Sequence, residues 1–174
     1  MNAEMLPVFS LRPETPADRE FFFQVYASTR AEELAQVGWD DPQKQAFLRM
    51  QFEAQDRYYR EHYPGYEFQV IQAGGQPAGR LYLHRRPDEI RIMDISLLPE
   101  FRRQGIGTGV LRALLAEAQD KALPVTIHVE RFNPALRLYA RLGFQQVDDR
   151  GVYWFLRWTP AGKTDDSRPN PPPG

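Results

Sequence analysis

The chain has 174 residues, a formal net charge of −1, 42% hydrophobic residues, three histidines and no cysteine. So balanced a charge gives no field to steer nucleic acid or an anionic membrane surface. The lack of cysteine excludes a disulfide framework, a thiolate metal site and a cysteine nucleophile. His62, His84 and His128 stand far apart, which argues against a metal site, and no apolar run approaches the ~18 residues of a membrane span. The N-terminus shows no basic segment followed by an apolar stretch. The expectation is a cytoplasmic protein with one domain over residues 1–160 and a disordered, proline-rich tail over 161–174.

Residues 7–12 alternate apolar and polar side chains and predict a first strand. Thr15-Pro16-Ala17-Asp18 offers a cap, a first-turn proline and a first-turn acid. The helix that follows carries Phe21, Phe22, Val25 and Tyr26, and either runs on or breaks before Leu34. Gly38-Trp39-Asp40-Asp41-Pro42 starts a second helix over about 42–62. Its pattern predicts Phe47, Met50, Ala54 and Tyr58 on one face, with Leu48, Phe52 and Tyr59 beside it; Pro64-Gly65 stops it. A three-strand meander follows. It comprises Glu67–Ala73, a Gly74-Gly75 turn, residues 76–86 with Leu81 and Leu83 on one face, a turn at 86–89, and residues 90–98. Ile106–Lys121 predicts a helix with Val110, Leu111, Leu114, Leu115 and Ala118 inward. Residues 125–129 read as a short buried strand. Asn133 and Pro134 open a last helix as cap and first residue, and Gly143 closes it. Two strands end the pattern, from Phe144 and over 152–158. The order predicts an α+β or mixed α/β layout around one central sheet.

Between the third meander strand and the long helix lies Arg102-Arg103-Gln104-Gly105-Ile106-Gly107-Thr108-Gly109. Alternate glycines let a ligand approach the backbone, and a helix start offers free N–H groups and the positive end of its dipole. The natural guest is a pyrophosphate. A dinucleotide fingerprint fails because Val110 occupies its sixth position, and a nucleotide P-loop fails for want of Gly-Lys-Ser/Thr. What remains is Arg-x-x-Gly-x-Gly at Arg102, Gly105 and Gly107. It resembles the coenzyme A pyrophosphate loop of the GCN5-related N-acetyltransferases (GNAT). Asn-Pro-Ala-Leu-Arg-Leu-Tyr-Ala-Arg-Leu-Gly-Phe, from Asn133 to Phe144, resembles the family's second signature, about 25 residues on.

The resemblance implies a central mixed, mostly antiparallel sheet flanked by helices. It also implies an N-acetyltransferase that moves an acetyl group from acetyl-CoA to a primary amine of a small molecule or peptide by direct attack. In that reading the pantetheine arm pairs with Ile95, Ser96 and Leu97, and the Leu97 N–H meets the thioester oxygen. The N–H groups of Arg103, Gln104, Gly105, Ile106, Gly107 and Thr108 hold the pyrophosphate. Arg102 and Arg103 meet a further phosphate or form a solvated pair. Asn133 contacts the coenzyme, caps its helix, or both. Tyr139 matches the family's general acid, its alternative being a core aromatic. The base is open. A glutamate five residues before the motif asparagine would fall on His128, but Asn133 to Tyr139 is one residue shorter than the common spacing, and registering on Tyr139 gives Ile127 instead. Asp94, Glu130, His84 or a water chain are rivals. No metal is implied. Family habit points to a homodimer, with no nucleic-acid or membrane partner. The helical pair would shape the acceptor side through Arg30, Glu32, Glu33, Trp39, Gln51, Gln55, Tyr58 and Tyr59, with small amine, amino acid, peptide N-terminus and protein lysine all open. The different-class alternative is a non-catalytic acyl-CoA-binding or sensing module of the same fold.

Overall fold

The computed structural model describes residues 8–162, so most of the expected tail and the start of the first predicted strand lie outside the described residues. Among the described residues the elements are β1 (Phe9–Pro13), α1 (Arg19–Ala35), α2 (Asp41–His62), β2 (Glu67–Ala73), β3 (Gln76–Arg85), β4 (Ile90–Leu97), α3 (Ile106–Lys121), β5 (Val125–Glu130), α4 (Leu136–Arg141), β6 (Gln145–Arg150) and β7 (Tyr153–Trp158). The seven strands form one sheet in the order β1-β2-β3-β4-β5-β7-β6. β4 and β5 run parallel, while β1–β2, β2–β3, β5–β7 and β6–β7 are antiparallel, as the resemblance implied. Contacts group the chain into two compact units, one of residues up to His84 with Asp94–Val110, the other of Arg85–Met93 with the chain from Leu111 onward.

In the first unit, local chemistry sets the helix starts. The Asp18 carboxylate accepts from the Thr15 N–H at 2.7 Å and from Arg12 through two bonds of 2.8 Å, which fixes the 3-10 turn leading into α1. α1 then runs unbroken through Leu34 and buries Phe22, Phe23, Val25, Tyr26 and Leu34. A reciprocal pair opens α2: Gln43 N–H donates to Asp40 at 2.8 Å, and Asp40 N–H donates to the Gln43 side chain at 3.2 Å.

The buried stripe of α2 differs from the predicted one. Leu48, Phe52 and Asp56 point inward, whereas Met50 is 60% and Tyr58 49% exposed. The rotation follows from charge. Asp56 is buried because Arg19 reaches it at 2.9 Å and Arg60 at 3.1 Å, so the inner stripe contains a carboxylate that a search for apolar periodicity passes over. Phe52 packs its ring 5.7 Å from Phe23 and 5.9 Å from Tyr26. β3 is covered on both faces, since Arg80 and Tyr82 are as buried as Leu81 and Leu83.

In the second unit, β5 pairs with β7 along its full length, from Val125 opposite Trp158 to Glu130 opposite Tyr153. Leu111, Leu114, Leu115 and Ala118 of α3 are buried, as the periodicity predicts. The last helix starts later than the sequence suggests. Asn133 accepts from the Ala135 N–H at 2.8 Å in a tight turn, Pro134 lies within that turn, and α4 begins at Leu136. Its end is as expected. Gly143 has φ +100°, its N–H bonds the Ala140 carbonyl, and the Phe144 N–H bonds the Tyr139 carbonyl.

Arg12, above all, holds the Asp18 carboxyl well below the ordinary carboxylate range. A depressed native pKa contributes stability that is present above the ordinary value and is lost as pH falls toward the native one. Asp18→Ala should therefore cost about 2 kcal/mol at neutral pH. The melting-temperature gap to the parent should narrow below about pH 4. A gap that stays constant from pH 7 to strongly acidic pH would show that the charge is not what matters.

Candidate active site

The first unit carries the glycine-rich turn. β4 ends at Leu97, and a 3-10 turn over Pro99–Phe101 leads to Arg102. Arg103 and Gly105 then adopt left-handed conformations at φ 61° and 81°. α3 begins at Ile106, and the Gly109 N–H to Gly105 carbonyl bond of 2.9 Å starts its ladder. The amides ahead of that bond are the orphan donors of a helix start.

The three glycines serve three purposes. Gly105 supplies the positive φ. A Cβ on Gly109 would come within 2.9 Å of the Phe9 ring, so its bareness allows close packing. A Cβ on Gly107 would meet Leu97 Cδ1 at 3.8 Å, an ordinary contact. No internal packing demands glycine there, which suits a position kept bare for a ligand. Arg102 has its own task. Its Nε donates to the Leu97 carbonyl at 3.0 Å and its Nη2 to the Ser28 hydroxyl at 3.3 Å, so the side chain braces the end of β4.

Beneath Ile95, Ser96 and Leu97 lies a feature that the motif reading missed. A Cβ on Gly79 of β3 would overlap the Ser96 carbonyl oxygen and come within 2.8 Å of Leu97 Cδ2, so the β4 backbone sits hard against β3. The next residue, Arg80, is 3% exposed and donates to Asp94 at 2.6 Å. The other Asp94 oxygen accepts from the Ser96 hydroxyl at 3.0 Å, and Gln55 of α2 accepts from Arg80 at 3.4 Å. A glycine inside a strand was the available signal, since it marks close backbone approach.

The base candidates sit in different surroundings. Both Asp94 oxygens are occupied. His84 packs 4.6 Å from the Tyr66 ring, with its Nε2 3.3 Å from where a Gly65 Cβ would lie, as a packing residue. Glu130 is exposed at the end of β5. His128, in the second unit, is half-buried, with its ring 4.7 Å from Phe155 and its Nε2 3.3 Å from Arg150 Nη1. Burial first, then Arg150 and Arg91, push its pKa below the ordinary histidine value, so it is a neutral imidazole at pH 7. In the same unit Tyr139 is 4% exposed, edge-on to Phe144 at 5.6 Å, and Asn133 caps the turn before α4. Of the acceptor-side candidates, Arg30 pairs with Glu33 at 3.3 Å, and Trp39 packs edge-on to Phe47 at 5.3 Å.

The profile of the Acetyltransferase (GNAT) family matches residues 29–144. An N-alpha-acetyltransferase of Sulfurisphaera tokodaii is 30% identical over 107 residues, which cover 52% of this chain and 64% of that protein, so the chain spans under two thirds of this relative. In fold, the chain is similar to the PaiA N-acetyltransferase of Thermoplasma acidophilum in complex with coenzyme A, with TM-score 0.65 and 16% identity over 87% of this chain and 99% of that one. It is also similar to the ribosomal-protein-S18-alanine N-acetyltransferase of Escherichia coli, with TM-score 0.60 and 16% identity over 91% and 98%.

The glycines set a stability order. Gly107→Ala should melt at or above the parent temperature, because alanine favours a helix and makes only an ordinary contact with Leu97. Gly109→Ala should melt lower, and Gly79→Ala lowest, since the new methyl would meet backbone that cannot step aside. Thermal unfolding of the three variants checks the order, and a Gly79→Ala protein as stable as the parent would refute the close β3–β4 approach.

Proposed function

The chain belongs to the GNAT acetyltransferase family, and we propose that it is an N-acetyltransferase that moves an acetyl group from acetyl-CoA to a primary amine by direct attack. The observation that carries this reading is the turn from β4 into α3, with left-handed backbone at Arg103 and Gly105 and room at Gly107. Consecutive amides at a helix start are the donor set a diphosphate requires. The relative named as an N-alpha-acetyltransferase supports an amine acceptor.

Acetyl-CoA, when bound, supplies the activated acetyl group. In this reading the amides from Arg103 to Thr108 take the pyrophosphate, and the Ile95–Leu97 stretch lines up with the pantetheine amides. The Leu97 N–H donates to the thioester oxygen and stabilises the negative charge that grows there during attack. His128 accepts a proton from the substrate ammonium at Nε2, in exchange for the Arg150 N–H bonded there, and Tyr139 Oη returns one to the departing sulfur. Arg102 and Arg80 act on position, the first through the Leu97 carbonyl and the second through Asp94.

Acetyl-CoA at ~100 times its dissociation constant should stabilise the protein by ~2.7 kcal/mol, read as a thermal shift. Gly107→Val should fold normally and lose that shift. An amine panel with detection of released thiol tests turnover; binding without thiol release would leave the non-catalytic acyl-CoA module. Tyr139→Phe should lower kcat and spare coenzyme affinity. A neutral base acts only above its own pKa, so kcat/KM should rise with pH through a midpoint below ~6.5. His128→Gln should abolish that limb, and a limb that survives would remove His128 from the role.

A further inference from the structure

We propose that the acceptor is an aminocarboxylate, a primary amine that also bears a carboxylate, and that Arg91 and Arg150 flanking Phe155 receive the carboxylate beside His128. The proposal rests on the acetyltransferase reading above and names its substrate class. The β5–β7 register sets His128 opposite Phe155, and the two rings lie 4.7 Å apart. The Arg150 guanidinium stands 5.3 Å from the same ring centre and that of Arg91 5.9 Å. Phe155 is thus an apolar floor with a cation on either flank and an imidazole against it.

The donors on this floor are incompletely used. Arg150 bonds Asp148 through Nε at 2.9 Å, while its Nη1 faces the imidazole at 3.3 Å. Arg91 bonds Glu89 through Nη2 at 2.9 Å, yet its Nε is buried with no hydrogen-bond partner among the described residues. A buried N–H without an acceptor is costly, and a ligand oxygen would relieve it. Two acids face the same cluster. Glu89 is itself shared with the Thr126 hydroxyl at 2.9 Å and Arg86 at 3.6 Å, and Asp148 is half-exposed. Burial does most to lower the imidazole pKa of His128, and after it Arg150 and Arg91 each weigh more than Glu89 or Asp148. A site with a positive field, planar forked donors and an apolar floor favours a carboxylate and repels a bare ammonium or a metal cation. A carboxylate seated there leaves the amine of a short aminocarboxylate within reach of His128.

The test measures CoA release with glycine, L-alanine, β-alanine and L-glutamate, each against its carboxamide (the α-carboxamide for L-glutamate), for the parent, Arg150→Gln and Arg91→Lys. Arg91→Lys keeps a charge for Glu89 and removes the unused Nε donor. Melting temperatures confirm that each variant folds, and the acetyl-CoA thermal shift is recorded alongside. The acids should exceed the amides by at least about tenfold in kcat/KM, and either variant should erode that ratio about tenfold, mainly through KM of the acid. Amides used as well as acids, a ratio untouched by both variants, or a normal acetyl-CoA shift with no aminocarboxylate acetylated would each overturn the proposal. Absence of any acetyl-CoA shift in the parent would instead sink the acetyltransferase reading on which it stands.

Discussion

The close approach of β3 and β4 at Gly79 sets where the end of β4 lies in the first unit. Only hydrogen at that position lets the Ser96 carbonyl and the Leu97 side chain settle as they do. Arg80 and Asp94 then join the two strands by a largely buried ion pair, with the Ala78 carbonyl accepting from Leu98 N–H at 2.9 Å just beyond. These contacts place the Leu97 backbone, and Arg102 secures it from the other side through the Leu97 carbonyl. Amides aimed at a reacting carbonyl work only if they are already in position, since reorganisation would consume the stabilisation they offer. In the proposed reading the Leu97 amide is such a donor, and bare backbone and a buried ion pair are stiff means of holding it.

Charge enters the interior of this protein with its partners attached. Asp18 is tied to Arg12 and the Thr15 amide, Asp56 to Arg19 and Arg60, Arg80 to Asp94, and Glu89 to Thr126 and Arg91. Such pairs add modestly to net stability, because desolvation offsets most of the attraction, but breaking one is expensive. Their use here is geometric. Asp18 fixes where α1 starts, and Asp56 fixes which face of α2 turns inward. Arg80 and Asp94 fix the strand that carries the glycine-rich turn.

His128 shows how a surrounding field changes one side chain. A strand histidine half in water would titrate near neutrality, but burial and two guanidinium groups keep its imidazole neutral there. The same two arginines that depress its proton affinity carry the donors suited to an anionic group. In the proposed reading one arrangement bears on proton transfer and on acceptor choice together, and a carboxylate bound there, by offsetting the arginines, would raise the basicity of the imidazole beside it.

The sequence by itself determined the element order, the Gly105–Gly107 turn between a strand and a helix, the inward stripe of α3 and the Gly143 helix end. Each is a local signal, carried by backbone freedom at a few residues or by apolar spacing along one element. Tertiary structure alone decided the inward face of α2, the late start of α4, the pairing of Arg80 with Asp94 and the company His128 keeps. Apart from the start of α4, which a local Asn133–Ala135 turn delays, those depend on partners far away in the chain: Arg19 for Asp56, Asp94 for Arg80, Phe155 and Arg150 for His128. A charged residue reads as solvated surface until the fold delivers its counter-charge, and no spacing within one element records where that counter-charge will come from.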